Sequence, residues 1–221
     1  MTAVFVTSSG TGIGKTVVTM RLIAEFAASG HRVRALKPVA SGFDAANPAD
    51  SDSALLLRAQ GLGVTRANLD AVSPWRFAAP LSPDMAAARE RRSIPFASLV
   101  AHCRAAAKGP GVTLIEGIGG VMVPLDGDHT VLDWIAAVEA PALLVVGSYL
   151  GSLSHSLTAL AVLRERGVPL VGVVVSESEV APVPAAETAA TLARFVASAP
   201  LCVLPRAAPV PLLPLIEPYL I

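Results

Sequence analysis

Residues Ser9-Gly10-Thr11-Gly12-Ile13-Gly14-Lys15-Thr16 constrain this chain more than any other stretch. An apolar run at 3–6 precedes them, and a helical pattern follows over 16–29. Strand, glycine-rich turn, Gly-Lys-Thr and helix in register is the arrangement a bound phosphate needs. Glycines let the backbone curl until several N–H groups face one anion, and the helix N-terminus adds the positive end of its dipole. Lys15 is spaced to reach β- and γ-phosphates, and the Thr16 hydroxyl to ligate Mg²⁺. Ser9 stands where the strict motif has its first glycine. The loop predicts a nucleotide and leaves open what is done with it.

The rest of the chain supplies an architecture for such a loop. Apolar, β-rich runs recur at 3–6, 32–36, 112–115, 142–146, 170–175 and 201–204, and helical patterns fall at 16–29, 52–60, 96–108, 130–139, 154–166 and 185–197. Strands buried on both faces read as continuous apolar runs, and their alternation with helices predicts a parallel sheet covered on both sides. Right-handed crossovers then gather the loops that begin at Thr7, Lys37, Glu116, Gly147 and Ser176 at one sheet edge, where ligands bind. Residues 44–50 and 73–83 read as irregular, and the proline-rich tail 205–221 as a surface wrap with at most a short helix.

The 221 residues suit one α/β domain, expected over 1–221. With 53% hydrophobic and 15% charged residues the chain is not of the disordered class. Formal charge is zero and there is no basic block, which argues against a nucleic-acid partner. No run approaches a membrane span, and nothing basic precedes the first apolar run as in a secretory signal. Cys103 and Cys202 have neither metal nor redox spacing, so a reduced, cytoplasmic setting is expected.

Further candidates cluster at the expected crevice. Glu116 ends a strand and opens Glu-Gly-Ile-Gly-Gly, well placed for a metal beside Thr16, with following glycines that admit a γ-phosphate. Asp52 and Asp50, in Asp-Ser-Asp-Ser, compete as the second carboxylate, although Asp and Ser there also suit a helix N-cap. Lys37 ends the second strand and projects into the same crevice as Lys15. Two lysines near one triphosphate neutralise charge on a transferring phosphoryl group and its acceptor.

Taken together, Gly-Thr-Gly-x-Gly-Lys-Thr, Lys-Pro-Val-Ala-Ser-Gly at 37–42, Ser-Asp before a helix, Ser-Pro, Glu-Gly-x-Gly-Gly at 116–120 and Leu-Gly-x-x-x-His at 150–155 resemble the dethiobiotin synthetase family from Val6 to about His155. The resemblance implies a P-loop NTPase-like, doubly wound three-layer sandwich, mainly parallel. It implies an ATP-dependent, Mg²⁺-requiring ligase that joins CO₂ to 7,8-diaminononanoate and closes a ureido ring. Thr11, Lys15 and Lys37 would be catalytic, and Thr16, Asp52 and Glu116 would hold the metal. Gly12, Ile13, Gly14, Val17, Gly117, Ile118 and Gly119 would join them around the nucleotide, with Ser176, Glu177, Pro205, Arg206 and Ala207 toward its base. Ser41 would contact the diamine. Gly151, Ser152, Leu153 and Ser154 would hold the substrate carboxylate from a neighbouring subunit, making the protein a homodimer.

Departures from the family pattern accompany the likeness. Ser8 replaces a usual glycine, Gly10 and Gly12 replace acidic residues, and Ser154 replaces a common Asn. Ser176-Glu177 stands where many members have Asn-Asp. An amide donates and accepts at once whereas serine offers one short hydroxyl, so base preference stays open. Two other classes share the loop. Partitioning-type ATPase switches usually carry an extra early lysine, which Ser8-Ser9-Gly10 lacks, and cobalamin-type amidotransferase synthetases need a further glutaminase domain.

Overall fold

The computed structural model describes residues 2–196, 199–208 and 210–219. Its centre is a six-stranded sheet in the order β2-β5-β1-β6-β7-β8, formed by β1 (Thr2–Ser8), β2 (Val33–Leu36), β5 (Val112–Glu116), β6 (Ala142–Gly147), β7 (Leu170–Ser176) and β8 (Leu201–Leu204). Every pairing in it is parallel. The expected doubly wound sheet is therefore present, with all strand C-termini along one edge.

Alternate side chains of each strand enter opposite layers, as pleating requires. Phe5, Ile115, Leu144, Val146, Val173 and Val175 pack with α5 (Phe96–Ala107), α6 (Val131–Val138), α7 (Ser152–Glu165) and α8 (Ala185–Ala193). Val4, Val6, Leu114, Leu143 and Val145 face α1 (Lys15–Ala28), α2 (Asp52–Ala59) and α9 (Leu213–Ile216). In the first layer the Trp134 ring meets Phe5 edge-on, centroids 4.8 Å apart, and both side chains are fully buried.

The 73–83 stretch departs from the irregular expectation. Trp75–Phe77 forms β4, which pairs in parallel with β3 (Val39–Ser41) as a separate two-stranded sheet. A strand of three residues is too short to show a period. Between β3 and β4 lie a 3₁₀ turn at Pro48–Asp50, α2 and α3 (Arg66–Val72), and α4 (Pro83–Arg89) follows β4. The small sheet stands beyond the C-terminal end of β2 and carries Ser41 toward the crevice. The free edge of β2 is closed by Gln60, whose amide accepts from Ala35 N at 2.8 Å and donates to Ala35 O at 3.2 Å. That pairing blunts an otherwise exposed strand edge. Residue 197 of the expected last long helix lies outside the described residues, and the described tail holds one short helix, α9, within the expectation of at most one, followed by a 3₁₀ turn.

Because Trp134 is wholly enclosed, Trp134→Ala should lower unfolding free energy by about 3–5 kcal/mol. Urea unfolding followed by circular dichroism checks this; a loss under about 1 kcal/mol would mean that the layer closes around the gap.

Candidate active site

The glycine loop is built where β1 hands over to α1. Gly14 caps α1 at φ 101°, a conformation L side chains rarely adopt, and a Cβ there would lie 2.8 Å from Ser176 Oγ. Only glycine lets the chain turn into the helix with the end of β7 pressed against it. The first-turn N–H groups of α1 have no intrahelical acceptors and are left for an anion.

Lys15 folds back over this loop. Its Nζ donates to Ser8 Oγ at 2.9 Å, to Gly119 O at 2.8 Å and to Gly10 O at 3.3 Å. The residue is buried, and burial, reinforced by repulsion from Lys37, lowers its pKa from 10.5 to about 8. Glu116 and Asp52 pull the other way without cancelling the shift.

Glu116 organises the other side. It is fully buried at the end of β5, and its Oε1 accepts from Lys37 Nζ at 2.7 Å and from Thr16 Oγ1 at 2.8 Å. Lys37 also donates to Gly117 O at 3.3 Å and lies 3.5 Å from Asp52 Oδ2. Burial opposes the charge on Lys37, but Glu116 and then Asp52 outweigh it and raise its pKa above the usual lysine value. Ser51, not Asp52, caps α2, its Oγ accepting from Ala54 N at 3.2 Å. The Asp52 carboxylate is thereby left to face Lys37. Asp50 also borders the cleft but makes no ion pair with either lysine among the described residues.

Among the described residues no three His, Cys, Asp or Glu side chains converge as a ready metal cage. Mg²⁺ on a nucleotide does not require one, since phosphate oxygens and water complete its shell. Thr16, Glu116 and Asp52 offer only oxygen donors, and Glu116 Oε2 is buried with no hydrogen-bond partner. This donor set fits a hard divalent cation.

Two clefts meet at the loop and share Thr11, Gly12, Ile13, Gly14 and Val17. One, of about 500 Å³, holds Lys15, Thr16, Lys37, Ser41, Asp52, Ile118 and Gly119. The other, of about 590 Å³, holds Ser176, Glu177, Pro205 and Arg206. The structure thus brings together most of the residues that the sequence singles out. Glu116 and Gly117 are buried and border neither cleft, Glu116 meeting the smaller one only through Lys37 and Thr16 and Gly117 through the carbonyl that serves Lys37, and Ala207 is exposed outside both. Gly151, Ser152, Leu153 and Ser154 form the cap and first turn of α7 and also lie outside both clefts of a single chain.

Other lining residues had no local signal. Arg21 enters the larger cleft from the second turn of α1, and Tyr149, Ser178 and Glu179 enter from the β6 and β7 loops. Ser148 and Ser178 clasp these loops reciprocally, each backbone N–H donating to the other's hydroxyl at 3.0 Å. Glu177 Oε2 accepts from Arg206 N at 2.8 Å and so fixes the turn after β8.

Comparisons with known proteins agree with this geometry. A family model described as an AAA domain matches residues 2–218. The chain is 52% identical over 209 residues to the ATP-dependent dethiobiotin synthetase BioD of Methylobacterium nodulans, across 92% of this chain and 93% of that protein. It is 48% identical over 202 residues to the protein of the same name from Acidiphilium cryptum, across 90% and 91%. Among solved structures, the septum site-determining protein MinD of Pyrococcus horikoshii, complexed with Mg-ADP, aligns with a TM-score of 0.55 at 20% identity, across 92% of this chain and 81% of that one. That last likeness speaks to the fold alone. Identity near one half along almost the whole of both chains, on a fold with the expected loop, places the chain in the ATP-dependent dethiobiotin synthetase family.

Proposed function

We propose that the chain, acting as one domain, is an ATP-dependent ligase that joins CO₂ to 7,8-diaminononanoate and closes the ureido ring of dethiobiotin. The observation that carries this reading is the convergence of Lys15 and Lys37 on one cleft with Thr16, Ser41 and Asp52, with Glu116 buried behind it against Lys37 and Thr16, in a chain of this family. Carbamate and triphosphate are both anions, and bringing them together needs fixed positive charge.

The proposed reaction needs no protein nucleophile. One substrate amine attacks CO₂, forming a C–N bond and losing a proton, to give a carbamate. A carbamate oxygen attacks the γ-phosphorus as the bond to ADP breaks, giving a carbamic–phosphoric anhydride. The second amine attacks the carbonyl carbon, the ring closes and phosphate leaves. Lys15 and Thr11 would grip the phosphate and carbamate region, with Lys37 neutralising charge between them. Ser41, at the end of β3, would orient the diamine. Thr16, Glu116 and Asp52 would hold Mg²⁺, which when bound supplies charge neutralisation at the phosphates. In the larger cleft, Ser176, Glu177, Pro205 and Arg206 would surround the base.

The first turn of α7 would serve a second copy of the chain, completing a homodimer. In support, Gly151 and Ser154 are exposed and Leu150 beside them is 85% exposed. No helix among the described residues is long and apolar enough to cross a membrane, and the substrates are small molecules, which suits a cytoplasmic enzyme without nucleic-acid or membrane partners.

Purified protein given the diamine, bicarbonate, Mg²⁺ and ATP should yield dethiobiotin by mass spectrometry, with one phosphate released per product. ATP loss without diamine dependence would contradict the reading. Lys37→Gln keeps a donor toward Glu116, so it should retain nucleotide binding by calorimetry while turnover falls by about 100-fold or more. Unchanged turnover would remove Lys37 from the chemistry. With a serine hydroxyl in place of an amide reader at 176, kcat/KM for ATP and CTP should differ by less than about tenfold. Discrimination well beyond that would assign base reading to other groups in the cleft.

A further inference from the structure

Ser8 lies at the end of β1 with no exposed surface, and nothing in the proposed chemistry uses it. Its hydroxyl sits at the crossing of two loops. Ser8 Oγ lies 2.6 Å from Gly10 O and 2.9 Å from Gly119 O, its single proton serving one of these carbonyls at a time, and it accepts from Lys15 Nζ at 2.9 Å. Its backbone carbonyl accepts from Val121 N at 3.0 Å. Residue 8 therefore ties the glycine loop to the segment that follows β5.

The consequence falls on Lys15. An ammonium has three donors. In this structure Ser8 Oγ, Gly119 O and Gly10 O take all three. A phosphate oxygen that recruits this lysine must displace at least one of them. Ser8 is the single side chain among the three partners; the other two are backbone carbonyls that no substitution removes. A glycine at this position would leave Lys15 one partner short and readier to turn outward.

We propose that Ser8 is a positioning residue that acts as a latch: its hydroxyl holds Lys15 in the loop's resting arrangement, and the β- and γ-phosphates of a nucleoside triphosphate compete with it for that ammonium. The latch lowers affinity for triphosphates and leaves nucleotides without those phosphates untouched. This inference rests on the nucleotide use proposed above.

The test is binding, measured calorimetrically without diamine, of a non-hydrolysable ATP analogue and of AMP to the wild type, Ser8→Ala and Ser8→Gly. A hydrogen bond to a charged group is worth enough that losing it from the resting state should tighten analogue binding by about tenfold. AMP affinity should stay within about twofold, because AMP has nothing for Lys15 to meet. Loosening of the loop alone would move both ligands together, and that result would overturn the latch. So would analogue affinity that is unchanged or weaker in whichever variant retains the wild-type melting transition. Failure of the wild type to bind the analogue at all would instead overturn the nucleotide reading on which the latch rests.

Discussion

A buried carboxylate decides how this site is put together. Glu116 is fully enclosed at the end of a central strand, where an uncompensated negative charge would be untenable. Its compensation comes from two directions, Lys37 at 2.7 Å and Thr16 at 2.8 Å. Removing one partner of such a pair typically costs about 3–5 kcal/mol, so the pair pins the chain wherever its members lie. Here they lie on the glycine loop's helix, after the edge strand β2 and on β5, so one interaction sets three separate segments against each other. Lys37 is held charged by it, and Asp52 then has a cation to face.

Strand order converts that local cluster into a directional site. Reading along the C-terminal edge of the sheet, β2 supplies Lys37, β5 Glu116, β1 the glycine loop, β7 Ser176 and Glu177, and β8 the turn at Pro205–Arg206. The glycine loop sits between two clefts of similar volume, one lined by lysines and carboxylates and the other by the β7 and β8 ends. In the proposed reaction, a nucleotide with phosphates on the loop would have its base in one cleft and meet the phosphoryl acceptor in the other. Lys37 and the small sheet that carries Ser41 lie at the β2 end of this edge, on the lysine-lined cleft.

Much of this was legible in the sequence because it rests on local pattern. Apolar, β-rich runs marked all six strands of the main sheet, and the parallel topology followed from their alternation with helices. Lys37, Glu116 and Ser176 are each at or next to a strand end, so knowing the strands sufficed to bring them to one edge. What sequence could not show depends on contacts between distant segments. The β3–β4 sheet joins two three-residue strands separated by two helices, and neither has a readable period. Tyr149 and Arg21 enter the larger cleft only because β6 and α1 flank the loop. Asp50 and Asp52 look equivalent until Ser51 is seen to cap α2 and leave Asp52 facing Lys37. The first turn of α7 is recognisable as a motif, yet lies outside both clefts of one chain.

The central claim is that the lysine-lined cleft brings a carbamate oxygen onto the γ-phosphate. It is tested most directly by running the reaction in heavy-oxygen-labelled bicarbonate and ordinary water, and weighing the phosphate released. The account predicts one labelled oxygen transferred from the carbon source to each phosphate formed with the ring. Phosphate carrying only oxygen from ATP and water would contradict it, because the γ-phosphate would then have met water and never the carbamate.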